Sequence, residues 1–257
     1  MTSYEIYIAW LTIVRKEIQR FMRIWVQTLI PPSITMVLYF IIFGNLIGSR
    51  IGEMGGFDYM QFIVPGLIMM SVITNSYGNV VSSFYSTKYQ GSLEEMLVSP
   101  TPNWVILAGF VAGGVARGLA VGAIVTTLSL FFTNLEIYNF GIIVLVVLMT
   151  SILFSLGGFI NAVFANSFDD ISIIPTFVLT PLTYLGGVFY SIDLLPDFWA
   201  GVSQANPILY MVNAFRYGIL GVSDISVGVA FTVIAGFIAL LASFCMYLLN
   251  TGKGIRK

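Results

Sequence analysis

Few side chains in this sequence are equipped for covalent or metal chemistry. There is no histidine and a single cysteine, Cys245. Histidine-based zinc sites, Ser-His or Cys-His catalysis, intrachain disulfides and four-cysteine clusters therefore lack their parts. Cys245 sits in an apolar run near the C-terminus and reads as a small hydrophobe. The carboxylates nearest to membrane-like sequence are the adjacent Asp169 and Asp170, at an expected helix end. Proton- or ion-coupled carriers place carboxylates or histidines at membrane depth, and no such coupling site is evident. The sequence also lacks the G-x-x-x-x-G-K-[ST] loop that would cradle ATP. What recurs instead is uncharged polarity inside apolar surroundings. Ser71, Asn75, Gly78, Asn79 and Ser82 are spaced by three and four residues, which places them on one side of a helix. Thr176, Thr180, Thr183 and Tyr184 lie beside Pro175 and Pro181, and Ser151, Ser155 and Asn161 add a third group. Such stripes either line a path for a large amphipathic solute or make interhelical hydrogen bonds. Ser71, Asn75, Asn79, Thr180 and Tyr184 are the candidate pathway residues. Arg117 is the one basic residue expected within the bilayer region, among Gly109, Gly113, Gly114, Gly118 and Gly122. Its expected role is packing or coupling, by reaching the cytoplasmic surface or by pairing with a carboxylate, while the glycines suit close helix packing.

The elements that must carry these residues are set by an unusual composition. Of the 257 residues, 58% are hydrophobic and 9% charged, against about 25% charged in an average soluble domain. A water-soluble globule is excluded. With 11 Lys and Arg against 12 Asp and Glu, the chain also cannot lay a basic track along a nucleic acid, which is excluded as a partner. A helix needs about 20 apolar residues to cross the hydrocarbon core, and the charge-free intervals, with a further region interrupted only by Arg117, predict six spans, at 26–48, 59–84, 105–132, 139–164, 171–190 and 227–249. Asn206-Pro207 interrupts the 191–226 segment, since proline disfavours helix in the residue before it. That segment is expected as short re-entrant or outer-side helices. The fold class is thus an all-α membrane protein, a single domain over 1–257, with no soluble domain or internal repeat.

Lys and Arg in short flanking segments set orientation. Arg15, Lys16, Arg20 and Arg23 precede the first span, Lys88 follows the second, and Lys253, Arg256 and Lys257 follow the last, whereas the opposite loops hold Arg50 and Arg216. Both termini are expected on the cytoplasmic side, which requires an even number of spans. Residues 1–25 are read as an amphipathic helix on the membrane. Tyr7, Trp10, Leu11, Val14, Ile18, Phe21, Met22 and Trp25 form one face, and Glu5, Thr12, Arg15, Lys16, Gln19, Arg20 and Arg23 avoid it. It serves either as an anchor or as a mechanical element. After the second span, apolar Leu93, Met96 and Leu97 with Glu94, Glu95 and a Pro100 stop form either a short helix presenting anchors and charges or an ordinary interfacial turn.

The stretch Pro181-Leu-Thr-Tyr-Leu-Gly-Gly-Val-Phe-Tyr-Ser-Ile-Asp-Leu-Leu-Pro196, followed by Asn206-Pro207 and Phe215-Arg-Tyr-Gly-Ile-Leu-Gly221, resembles the C-terminal signature of ABC type-2 export permeases. Gly91-Ser-Leu-Glu-Glu-Met-Leu-Val-Ser-Pro100 is similar to the same family's coupling segment, and Arg20-Phe-Met-Arg-Ile-Trp-Val-Gln-Thr28 extends the likeness over essentially the whole chain. The resemblance implies the six-span permease subunit of an ATP-driven exporter in the bacterial inner membrane. It implies a homodimer that binds two copies of a cytoplasmic ABC ATPase, with ATP and Mg held by that partner and no cofactor on this chain. Gly91, Leu93, Glu94, Glu95, Leu97 and Pro100 are then the ATPase-coupling residues. Gln90 stands where family members often carry Arg or Lys before the glycine. The competing class is a non-transporting membrane scaffold or an intramembrane enzyme, and copurification with an ATPase separates the two. Lipid, polysaccharide and hydrophobic drug all fit uncharged, aromatic-rich walls.

Overall fold

The computed structural model describes residues 1–255; Arg256 and Lys257, used above for orientation, lie outside the described residues. Thr2 opens α1 (Ser3–Arg23) with a capping box. Its hydroxyl accepts from the Glu5 amide while its own amide donates to the Glu5 carboxylate. The chain continues into α2 (Trp25–Ile51), whose second half is a wider π-type helix over Phe40–Ile47. A two-residue hairpin, β1 (Glu53–Met54) and β2 (Phe57–Asp58), turns the chain round. Asp58 then caps α3 (Tyr59–Tyr89) by accepting from the Met60 amide. Helix α3 ends where Gly91 takes φ +79°, a left-handed conformation that costs a glycine little. There follow α4 (Ser92–Val98), α5 (Asn103–Ser129) and α6 (Phe140–Phe164), the last capped by the Asn139 side chain.

Among the described residues, five helices are long and apolar enough to cross a membrane: α2, α3, α5, α6 and α10 (Val227–Thr251). The protein is an all-α membrane protein. The interval read as a span at 171–190 takes a different form. Its helical run, α7, covers 170–184 only, with a wide π turn over Pro175–Leu179. Pro175 and Pro181 remove backbone donors within it, and Gly187 at φ +70° turns the chain away soon after its end. The chain nevertheless travels the length of α3 over this stretch. Lys88, near the end of α3, donates to the carbonyls of Val163 and Ala165 at 2.6 and 3.0 Å. Arg216 donates to the carbonyls of Gly187 and of Phe62, the latter in the first turn of α3.

A short 3-10 turn (Ile192–Leu194), α8 (Asp197–Gln204) and α9 (Pro207–Leu220) precede α10. The break falls at Asn206, whose side chain accepts from the Ile208 amide at 3.0 Å and donates to the Leu182 carbonyl at 2.6 Å. The core is built round α3, buried along most of its length against α5 and α6. Glycines make the close approach possible. A Cβ at Gly114 would meet the Ser155 hydroxyl and, at 3.0 Å, the Ser76 carbonyl, and one at Gly118 would collide with the hydroxyls of Ser76 and Ser151. The glycine row therefore packs α5 against α3 and α6.

Candidate functional site

One end of the bundle gathers α1, the end of α3, α4, the start of α5 and the end of α10. Lys16 donates to the Thr87 hydroxyl at 3.4 Å, and Asn103 donates to the Asn250 side chain at 2.8 Å. At this end α4 rests on one anchor, Leu93, which is buried, while Glu94 and Glu95 point to the outside and Leu97 is half-buried. Val98 is 87% exposed, an unusually bare apolar side chain beside two carboxylates. Pro100 follows on exposed chain, where the Ser99 hydroxyl donates back to the Met96 carbonyl. Gly91, Leu93, Glu94, Glu95, Leu97 and Pro100 thus form one compact protruding unit.

Helix α1 packs along α5 with a face that periodicity identified only in part: Phe21 of the expected apolar face is buried and Trp10, Leu11 and Val14 are half-buried. Ile13, Glu17 and Phe21 are buried, whereas Tyr7, Ile18, Met22 and Trp25 are 37–53% exposed. Two charged residues, Glu17 and Arg20, turn inward, while Glu5, Thr12, Arg15, Lys16, Gln19 and Arg23 stay exposed. The Glu17 carboxylate accepts from the Ser83 hydroxyl at 2.7 Å and lies 3.6 Å from Arg20 Nε. Arg20 Nη2 donates at 2.8 Å to both the backbone and side-chain carbonyls of Asn79, and its Nη1 donates to the Ser82 hydroxyl at 3.3 Å. Gly113 makes room for this: a Cβ there would lie 2.5 Å from the Glu17 Cβ. Desolvation by burial pushes the Glu17 carboxyl up from its ordinary 4.5, against the opposing pull of Ser83, Arg20 and Lys16. A raised folded-state value means that this group's contribution to stability is present at pH below 4.5 and is lost as pH rises through the raised value. Glu17→Gln keeps an acceptor for Ser83 and cannot ionise. Thermal unfolding in detergent between about pH 4 and 8 should show the wild type losing stability upward through that window and the variant losing less.

The candidate pathway residues separate into two groups. Asn79 is fully buried under Arg20. Ser71 and Asn75, with 2% and 5% exposure, line a cavity of about 440 Å³ between α2 and α3, together with Thr35, Tyr39, Met70 and Arg117. Thr180 and Tyr184 are exposed on α7, but the Tyr184 hydroxyl lies 3.5 Å from that of Tyr39, so α7 meets the cavity at its Tyr39 end. Among the described residues Arg117 pairs with no carboxylate, and its side chain is half-buried. Its Nη2 donates to the Asn75 side-chain carbonyl at 3.0 Å and to the Thr28 backbone carbonyl at 3.3 Å. Asp170 is used locally, its carboxylate accepting from the amides of Asn166 and Ser167 and from the Ser167 hydroxyl. It is part of a helix-entry loop.

Two residues of evident structural weight were not singled out as site residues from the sequence. Glu17 stands three residues before Arg20, a spacing that places both on one helix face and signals an ion pair. Arg216, counted above among loop cations, has no exposed surface. It donates to Gly187 at 2.6 Å and to Phe62 at 3.4 Å, stacks 3.9 Å from the Phe62 ring centroid, and lies 3.9 Å from the Asp224 carboxylate. The Asp224 carboxylate in turn accepts from the Ile192 amide at 3.2 Å. The Phe215-Arg-Tyr-Gly stretch therefore clamps the Gly186-Gly187 turn to the start of α3.

The exposed helix α4, helix α1 tied by charge into the bundle and the cavity between α2 and α3 all belong to a bundle with five helices long and apolar enough to cross a membrane among the described residues. The ABC-2 type transporter family model matches residues 8–220, and the chain belongs to that family. Among its relatives, the inner membrane transport permease YadH of Escherichia coli (strain K12) is 60% identical over 250 residues, covering 97% of this chain and 98% of the relative. Nodulation protein J of Rhizobium meliloti (strain 1021) is 21% identical over 224 residues, covering 85% and 84%. The chain is a permease subunit and not an enzyme.

Proposed function

We propose that this chain is the transmembrane subunit of an ATP-driven exporter in the bacterial inner membrane, paired with a second copy and energised by two copies of a cytoplasmic ABC ATPase, which holds the ATP and Mg. The observation that carries the reading is the unit at 91–100: Leu93 buried, Glu94, Glu95 and Val98 exposed, mounted directly on the end of the central helix α3. A push there is delivered to the most buried element of the protein. The inner membrane agrees with the name of the E. coli relative, an inner membrane transport permease.

Six crossings, with α7 and its flanks as the fifth, agree with the path from Ala165 beside Lys88 to Gly187 beside Phe62. Cytoplasmic termini agree with the charges. Arg15, Lys16, Arg20, Arg23, Lys88 and Lys253 gather at the α1 end, and Arg50 and Arg216 at the other, where α8 and α9 form the outer-side segment. The translocation path follows the cavity of Ser71 and Asn75 toward Tyr184 and Thr180; Asn79 belongs to the seam with α1. Uncharged and aromatic walls suit an amphipathic or polymeric solute such as a lipid, polysaccharide or drug.

Purification of the chain from its native membrane should bring an ABC ATPase with it. Cysteine labelling should place residue 253 on the cytoplasmic face and residue 199 on the opposite face. A chain that purifies without an ATPase at any detergent strength, or residue 253 labelled from outside, contradicts the reading.

A further inference from the structure

The cavity between α2 and α3 holds a cation at one end and mixes apolar side chains with the hydroxyls of Thr35, Ser71 and Thr74 along its length. At that end stand Arg117, Asn75 and Gln27; the walls beyond are Pro31, Met36, Tyr39 and Met70. From Gln27 to Tyr39 the groove follows about 18 Å of helix. Its floor is closed, with Ser71, Asn75 and Met36 buried, and its rim is open at Pro31, Thr35 and Thr74, which are exposed. Among the described residues Arg117 has no ion pair; its Nε and the Ser71 hydroxyl are buried without a hydrogen-bond partner. A cation at this depth is costly unless an anion or water compensates it.

The groove opens toward the α1 side of the bundle. Arg117 bonds the Thr28 carbonyl, within the first turn of α2, which begins at Trp25, a residue type that favours the membrane-water interface. Arg117 stands 14 residues into α5 and Asn75 14 residues before the end of α3, so a phosphate held there is drawn in from the helix ends and needs the cation that Arg117 supplies. Exposed Arg15 and Arg23 of α1 add positive charge on the same side, which attracts anionic lipid.

We propose that the groove is a binding site for an anionic phospholipid of the leaflet on the α1 side, with its phosphate at Arg117 and Asn75 and an acyl chain along Pro31, Met36, Tyr39 and Met70. The proposal rests on α2 and α3 being membrane helices that flank the pathway, and it names the class of amphiphile that enters there. Arg117 supplies the charge, the Asn75 amide and Ser71 hydroxyl supply neutral hydrogen-bonding capacity, and the open rim admits the lipid sideways.

The test is native mass spectrometry of the delipidated full chain, titrated with phosphatidylglycerol and with phosphatidylcholine of the same acyl chains. The wild type should favour phosphatidylglycerol by about tenfold or more, and Arg117→Gln should abolish the preference. Arg117→Lys should keep part of it. Thr35→Trp, which fills the rim without altering charge, should reduce binding of both lipids and stands in if the Arg117 variants do not fold. Equal affinity of the wild type for the two lipids, an undiminished preference in Arg117→Gln, or unchanged binding in Thr35→Trp overturns the proposal. So does displacement of phosphatidylglycerol by an equal concentration of soluble glycerol phosphate, because the apolar wall would then contribute nothing. Binding is read without an ATPase. Its loss leaves the transport reading standing, and a closed pathway in the full complex leaves lipid binding standing.

Discussion

Glu94→Lys with Glu95→Lys is expected to uncouple the permease from its ATPase while leaving it folded in the membrane. Both carboxylates are exposed on α4, and neither carries a hydrogen bond that holds the helix to the bundle, a task that falls to buried Leu93. Reversal removes attraction and adds repulsion at a contact surface, so complex affinity should fall by at least about tenfold. Copurification of the ATPase from detergent, with substrate-stimulated ATP hydrolysis in vesicles, reads the effect. Leu93→Ala should also impair coupling, through loss of the anchor, but should lower thermal stability as well, which separates the two kinds of damage. Wild-type complex formation and wild-type stimulated hydrolysis in the double charge-reversal variant would remove α4 from the contact.

The second large effect is expected at Arg216. Its guanidinium has no exposed surface and holds together the Gly187 turn, the first turn of α3 and Asp224. Truncation to alanine strands the Gly187 carbonyl, leaves the Asp224 carboxylate with the Ile192 amide, and opens a cavity beside Phe62. Breaking a buried pair from one side costs about 3–5 kcal/mol. Arg216→Lys retains the charge but lacks the planar fork that reaches three partners, so most of the loss should persist. Thermal unfolding of the purified variants measures this, and a loss within about 0.5 kcal/mol, typical of surface positions, would show the clamp to be incidental.

Much of the architecture was legible because a bilayer imposes a coarse rule. Charge-free intervals near 20 residues mark spans, and α2, α3, α6 and α10 fall where such intervals lie, as does α5 in a region broken only by Arg117. The interval at 171–190 obeys the same composition yet forms a shorter helical run, because Pro175, Pro181 and the Gly186-Gly187 turn act on the backbone and leave hydropathy unchanged. The periodicity of α1 was also legible, but only in part which side meets protein. For a soluble helix the apolar face is the inner one; beside lipid, Tyr7 and Met22 can face outward while Glu17 and Arg20 find partners within. Those partners, Ser83 and Asn79, lie 66 and 59 residues away in the chain, and no local pattern announces such a pairing. The stripe on α3 was recognisable as a stripe. Its division into a sealed half under Arg20 and an open half at the cavity depends on how α1 and α2 cross α3, which spacing on α3 alone does not encode.

The account turns on whether the Ser71 and Asn75 cavity, continued past Tyr39 to Tyr184 and Thr180, becomes a path open to water during the ATP cycle. The direct measurement uses single cysteines at positions 75, 79 and 180, made after Cys245→Ser, in the chain assembled with its ATPase in vesicles. Each is probed with a small water-soluble thiol reagent without nucleotide, with ATP trapped, and with ADP. Positions 75 and 180 should react in at least one of these states and should be slowed by substrate, whereas position 79, sealed beneath Arg20, should stay inert. Inertness of positions 75 and 180 in every nucleotide state, with folding verified, would reduce the polar groups to interhelical packing and contradict the pathway.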